Sequence, residues 1–185
     1  KPHPRYRVRS IHYRSGDGYD LPLRRSVLAE NTVVKAGEWF SASDLQRTYN
    51  NFARLGAVRY TNITFREDTL HNLDTDIRLS MRKPNTIAFQ PEGTNTAGDF
   101  GAAATLTYQN RNLFRGSELL SIELRGAFEA IKGLEGYERG DYEEYGVEAR
   151  FQMPRLMTPF LSRKGRRGST ASTELSVAWN LQNRP

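Results

Sequence analysis

The spacing of apolar and polar residues along the chain changes near residue 84. Before it, two periods take turns. The run 6–13 alternates as a strand does, with Tyr6, Val8, Ser10 and His12 on one side. Ser15-Gly16-Asp17-Gly18 reads as a turn, and Asp20 and Pro22 open a short predicted helix through Leu23, Val27 and Leu28. A clearer helix follows, in which Leu45, Tyr49, Phe52 and Leu55 recur as one apolar stripe. Ser41 or Ser43 supplies its N-cap, Ser43 and Gln46 have capping-box spacing, and Gly56 supplies the stop. Two strand runs, 58–65 and 73–81, then flank the polar turn Arg66-Glu67-Asp68-Thr69. In the second run Leu73, Ile77, Leu79 and Met81 share a face, and Asp74, Asp76, Arg78 and Ser80 take the other. The order β-α-α-β-β predicts a small α+β domain over residues 1–84, with helices on one face of a sheet.

Beyond Lys83-Pro84-Asn85 the helical spacing disappears. Four runs alternate strictly: 100–109, 120–130, 144–153 and 171–182. Each is close to the roughly 9–11 residues of a tilted membrane-spanning strand. Glu123, Arg125, Glu148, Arg150 and Glu174 all fall on the polar side, with both signs mixed, as suits a polar barrel lumen with cross-strand pairs. A soluble antiparallel sheet with one buried face alternates too. Its strands, however, usually stop at about 5–6 residues. The linkers here alternate short and long, as in barrels with short turns at one end and long loops at the other. The segment 132–143 is the expected outer loop; 157–170 is long for a tight turn. Residues 85–185 are therefore expected to be antiparallel strands of a transmembrane β-barrel, present in part.

Composition narrows this picture without replacing it. No apolar run approaches the roughly 18 residues of a membrane helix, a test that barrel strands escape. The 185 residues include no cysteine, which excludes disulfides and thiolate metal sites. The chain opens Lys1-Pro2-His3-Pro4-Arg5, without the pattern of a signal peptide, and its abrupt ends suggest a trimmed segment. The net charge of +6 lies in residues 1–84, which carry 15 Lys and Arg against 9 Asp and Glu. Those arginines are scattered among acids, with no aromatic RNA-binding pattern and no zinc spacing, so a solvated basic surface explains them better than nucleic acid. His3, His12 and His71 stand alone, and no nucleophile elbow or phosphate loop occurs. Ser15-Gly16-Asp17-Gly18-Tyr19-Asp20 matches part of a calcium loop but lacks its bidentate glutamate. Glu135, Glu138, Asp141, Glu143 and Glu144 form an acidic stretch that reads as a solvated loop before it reads as a cation site. No enzyme, cofactor or metal is expected.

Three stretches, in order, resemble the outer-membrane assembly superfamily of BamA/TamA-like proteins, most of all the TamA-like branch of Bacteroidetes. "VVKAGEWFSASDLQRTYNNFARLGAVRYTNITF" is similar to the second helix and strand of a polypeptide-transport-associated (POTRA) domain. "FQPEGTNTAGDFGAAATLTYQNRNLFRGSE" is similar to the start of the family's barrel. "STASTELSVAWNLQNRP" is similar to a later strand. The most specific part is Glu92-Gly93-Thr94 followed by the turn Asn110, Arg111, Asn112, Leu113, Phe114, Arg115 and Gly116.

The resemblance implies a periplasmic POTRA domain over 1–84, the first strands of an outer-membrane β-barrel over 85–185, and a parent chain with many more strands. It implies a non-enzymatic factor that inserts β-barrel proteins or moves polypeptide by pairing strands with unfolded clients, with lipid bilayer and accessory assembly proteins as further partners. Two edges are candidate pairing sites. One is the run 58–65, with Val58, Tyr60 and Ile63. The other is the first barrel strand, with Ile87, Ala88, Phe89, Gln90, Pro91, Glu92 and Gly93. There Pro91 cannot donate to a ladder and belongs at an edge or a bulge, and Gly93 weakens pairing further. Leu113 and Phe114 are expected to anchor the 110–118 turn at a membrane interface or against a core, with Gly116 permitting the reversal. The rival readings are a soluble β-sandwich binding module fused to a small α+β domain, and a secretion pore of the same superfamily for one dedicated partner.

Overall fold

The computed structural model describes residues 5–96, 99–130, 141–155 and 171–183. The elements run β1 (Arg7–Ser15), α1 (Arg25–Asn31), α2 (Ala42–Ala53), β2 (Val58–Glu67), β3 (Asn72–Met81), β4 (Asn85–Thr96), β5 (Asp99–Asn110), β6 (Leu119–Ala130), β7 (Asp141–Met153) and β8 (Thr173–Asn183). The strands form two sheets, one ordered β1-β3-β2 and one ordered β4-β5-β6-β7-β8. Two compact units result. Of the described residues, the first takes those up to Lys83, Arg111–Glu118 and those from Met153 to Thr173; the second takes Pro84–Asn110, Leu119–Gln152 and those from Glu174. Among the described residues no helix is long and apolar enough to cross a membrane, a criterion that does not address strands.

In the first unit β1 runs parallel to β3, and β2 runs antiparallel to it. One sheet face is buried under the helices. Phe52 of α2, wholly excluded from solvent, clusters with Val27 and Leu28 of α1 and with Ile63, Ile77 and Leu79 of the sheet. Side chains of Phe52's size are worth about 3–5 kcal/mol when truncated in a core. Buried Thr48 is satisfied within this layer: its Oγ1 donates to Asp44 O at 2.8 Å and accepts from Val33 N at 3.0 Å. That second bond ties the α1–α2 connection to α2.

Three local expectations shift, and one of the two N-cap candidates is chosen. The first helix starts at Arg25, later than Asp20 or Pro22, because Leu21, Pro22 and Arg24 offer their main-chain groups to the 111–118 turn instead. Ser41, not Ser43, caps α2, accepting from Asp44 N at 3.4 Å. Gly56 does not stop that helix; it ends at Ala53 with Arg54 still right-handed and its N–H turned to Asn51 and Phe52. Asp76 lies on the face of β3 away from the helices, yet it is buried, because Arg14 and Arg66 close over it at 3.5 and 3.1 Å.

In the second unit β4 to β7 pair antiparallel with no shift of register. β8 is the neighbour of β7. Asn180 meets Glu144 while Glu174 meets Arg150, opposite sequence directions that fit an antiparallel pair. The expected outer loop at 132–143 lies outside the described residues up to 140, and from Asp141 the chain is already strand. The segment 157–170 lies outside the described residues. Glu135 and Glu138 also lie outside them, whereas Asp141, Glu143 and Glu144 belong to β7. Among the described residues no group of three carboxylates or histidines is placed to hold a metal ion.

Asp74 on β3 titrates far from its usual range. Hydrogen bonds from Arg9, then from the Ser10 hydroxyl, hold its carboxyl down at about 2, against an ordinary 3.8. Asp68 is lowered too, chiefly by the Asn72 backbone and side-chain amides. A carboxyl depressed in the fold stabilises it above the ordinary carboxylate range, and that stability is lost as pH falls from about 4 towards 2. Asp74→Asn is therefore expected to flatten the acid limb of stability against pH over that interval without abolishing it, since Asp68 remains. Urea midpoints of the detergent-solubilised chain at stepped pH measure this, and an unchanged acid limb would contradict it.

Candidate functional site: two strand edges and a docked turn

The second sheet separates its side chains by chemistry. Register places Ile87 beside Tyr108, Phe89 beside Leu106, Leu106 beside Leu124 and Leu124 beside Val147, all on one face. β8 adds Leu175, Val177, Trp179 and Leu181, and these large side chains are exposed; Val177 is 73% accessible and Trp179 57%. The opposite face is polar and cross-linked. Arg125 reaches over β5, where Ala103 and Thr105 are small, to Glu92 of β4 at 3.7 Å. Arg150 bridges Glu148 at 2.6 Å and Glu174 at 3.3 Å, and Asn180 donates to Glu144 at 3.1 Å. Five of the charges picked out by alternation thus share a face, and Glu92, picked out as a pairing-strand residue, joins them.

β4 is an edge of this sheet. Ile87, Ala88, Phe89, Gln90, Pro91, Glu92 and Gly93 lie in it consecutively, and Pro91 faces Ala104 in unbroken register. The proline therefore marks an edge and not a bulge. At the start of the strand Asn85 Oδ1 accepts from Tyr108 Oη at 2.9 Å and from Asn110 Nδ2 at 2.8 Å, fixing that end of β4 to β5.

The other candidate edge is β2, at the border of the first sheet. Val58 and Ile63 are buried, while Tyr60 is 63% exposed. Beside it runs an open groove of about 280 Å³ between α2 and β2, lined by Tyr49, Asn50, Val58, Tyr60, Thr61 and Arg82 among others. The far edge of the sheet is partly covered. Arg7 bridges Trp39, Gly37 N donates to Val8 O, and Phe40 N donates to Tyr6 O, so the segment before α2 straps the first residues of β1.

The turn between β5 and β6 belongs to the first unit, and polar atoms hold it there. Arg24 N donates to Arg115 O at 2.8 Å, and Asn112 Nδ2 donates to Pro22 O at 2.7 Å. Ala57 N donates to Ser117 Oγ at 2.9 Å. Glu118, 3% exposed, pairs with Arg24 at 2.7 Å and accepts from the amides of Phe114 and Gly116. The reversal itself is made by Arg115 and Ser117, both at positive φ. Gly116 has a different role from the one expected: a Cβ there would collide with the Arg24 guanidinium and lie 2.7 Å from Glu118 Cδ. Phe114 is 60% exposed, so it does not cap a core. Arg24, Ala57, Ser117 and Glu118 were missed as candidates, since nothing local in the sequence links positions 60 to 94 residues apart.

No protein-family model and no curated protein sequence matches the chain. Among solved structures it is similar to CdiB from Acinetobacter baumannii, at 12% identity and a TM-score of 0.52, over 96% of this chain and 39% of that one. It also matches BamA from Haemophilus ducreyi lacking POTRA domains 1–3, at 14% identity and a TM-score of 0.45, over 95% of this chain and 35% of that one. At these identities the likeness to CdiB concerns the fold alone. The chain spans well under half the length of either protein.

The tightness around Gly116 makes a measurable difference between two glycines. Gly116→Ala is expected to cost roughly 1–3 kcal/mol, the usual range for an overpacked site. Gly56→Ala meets nothing within 4 Å and should be neutral or slightly stabilising. Urea denaturation of the two variants in detergent tests the contrast; equal midpoints would mean the turn is not packed as described.

Proposed function

We infer that this chain joins a POTRA domain to the first strands of a transmembrane β-barrel. The protein it belongs to is a non-enzymatic outer-membrane factor for protein assembly or polypeptide translocation. The observation that carries this reading is the second sheet, with one face of exposed large apolar side chains and one of paired charges. A monomer in water rarely exposes a continuous apolar surface of more than a few hundred Å². Lipid accepts such a face, and a water-filled lumen accepts the other. The dimensions agree: the 12 residues of β5, at roughly 3.4 Å each and tilted about 45°, rise ~29 Å, against a hydrocarbon core of roughly 30 Å.

Several further features support the reading. The element order of the first unit, β-α-α-β-β, is the one the POTRA resemblance implies. The fold likeness to CdiB extends over nearly the whole chain. The TamA-like assignment rests on the sequence resemblance. The five described strands leave two unpaired edges, which lipid does not tolerate, so a closed barrel needs further strands. The first unit belongs in the periplasm, where unfolded clients pair with the β2 edge around Val58, Tyr60 and Ile63; in the membrane they pair with β4 through residues 87–93. Strand pairing requires no catalytic group.

Adjacent residues on opposite faces give the test. In the parent protein, single cysteines at Val177 and Ser176 should report different surroundings. The first is expected to be shielded from a water-soluble maleimide, and a fluorophore attached there through an apolar maleimide should be quenched by a lipid-borne spin label; the second should react with the water-soluble maleimide. The protein should fractionate with the outer membrane and need detergent for release. A β-sandwich would instead remain soluble with position 177 buried in protein, which would overturn the reading.

A further inference from the structure

The β2 edge is occupied at one position by a side chain of its own domain. Residues in an antiparallel strand alternate between those whose main-chain groups point at the neighbour and those whose groups point away. Ile63 N–H donates to the Tyr49 hydroxyl at 3.0 Å, which places Ile63 in the outward set. Period two then puts Thr61 and Phe65 in the same set. An extended segment added to this edge would pair with these three residues, and Tyr49 reaches the middle one from α2.

The ring of Tyr49 packs against the apolar core, a task phenylalanine performs equally well. What the hydroxyl adds is the bond to Ile63, at the border of the groove between α2 and β2. We propose that the Tyr49 hydroxyl guards the β2 edge: it holds the Ile63 amide until an extended client segment displaces it. The proposal rests on β2 being a client-pairing edge, as inferred above. A segment that offers a single carbonyl opposite Ile63 only exchanges one hydrogen bond for another. A segment in register with Thr61, Ile63 and Phe65 together gains on either side of the exchange. The guard therefore selects for regular strands of at least five residues over short or kinked ones. It also keeps an edge that is otherwise prone to indiscriminate pairing closed at its centre.

The test uses the full-length protein in its membrane, with a photo-crosslinking phenylalanine analogue replacing exposed Asn62 or, separately, Ala88. The probe is the synthetic peptide TELSVAWNLQN, the sequence of β8. Tyr49→Phe should raise the yield at position 62 about fivefold at subsaturating peptide, the affinity equivalent of one ordinary hydrogen bond. Yield at position 88 should not change, and without peptide the Ile63 amide should exchange faster in Tyr49→Phe. An equal or lower yield at 62 in the variant overturns the guard, and so does the absence of crosslinking at 62 while 88 still crosslinks; in both cases strand pairing at β4 survives. No crosslinking at either position defeats the strand-pairing reading itself, and the guard falls with it.

Discussion

The second sheet depends on one constraint, a pairing register that does not shift between β4 and β7. Because side chains alternate with period two, a slip of one residue exchanges the faces. Glu123 and Arg125 would then enter the apolar surface, and Leu124 and Ile122 the polar one. The unbroken register is what lets Arg125 find Glu92 two strands away. It also makes Leu106, Leu124 and Val147 one continuous surface. The first sheet has no such requirement. It shifts register between Val8 and Ser10 and again between Val58 and Tyr60, and helices cover its apolar face.

Much of this was legible because the signals are local. The stripe of Leu45, Tyr49, Phe52 and Leu55 and the alternation from Phe100 to Tyr108 depend only on neighbours within a few residues. So does the charged face of Glu123, Arg125, Glu148, Arg150 and Glu174. What could not be read was decided by groups distant in sequence. Asp76 belongs to a polar face by pattern, and two arginines from other strands bury it. The start of α1 moves to Arg25 because residues ninety or more positions later take up the main chain before it. Gly116 looks like a reversal residue from its turn context; the requirement for it comes from Arg24 and Glu118. The apolar pair Leu113 and Phe114 draws attention in the sequence, yet polar atoms hold the turn, since buried polar groups must find partners while an aromatic ring can remain exposed.

The chain meets the problem of open sheet edges in three ways. The first residues of β1 are strapped by the segment before α2. β4 carries Pro91 and Gly93, which make it a poor template without closing it. At β2, a sheet edge, the Tyr49 hydroxyl binds the Ile63 amide. A protein that only had to remain folded could cover these three edges, like that of β8, with charge or proline, as natural sheets do. Leaving two of them weakly closed carries an aggregation risk, and the strand exchange proposed above is a use that would balance it. The two closures also differ in kind. Pro91 permanently removes a donor, so β4 can be opened at a constant cost whatever pairs with it. Tyr49 lends an acceptor to a donor that remains available, so the cost at β2 depends on what the incoming strand offers. If clients pair with both edges as proposed, the two suit different steps: β2 to choosing an extended segment, and β4 to giving way to one.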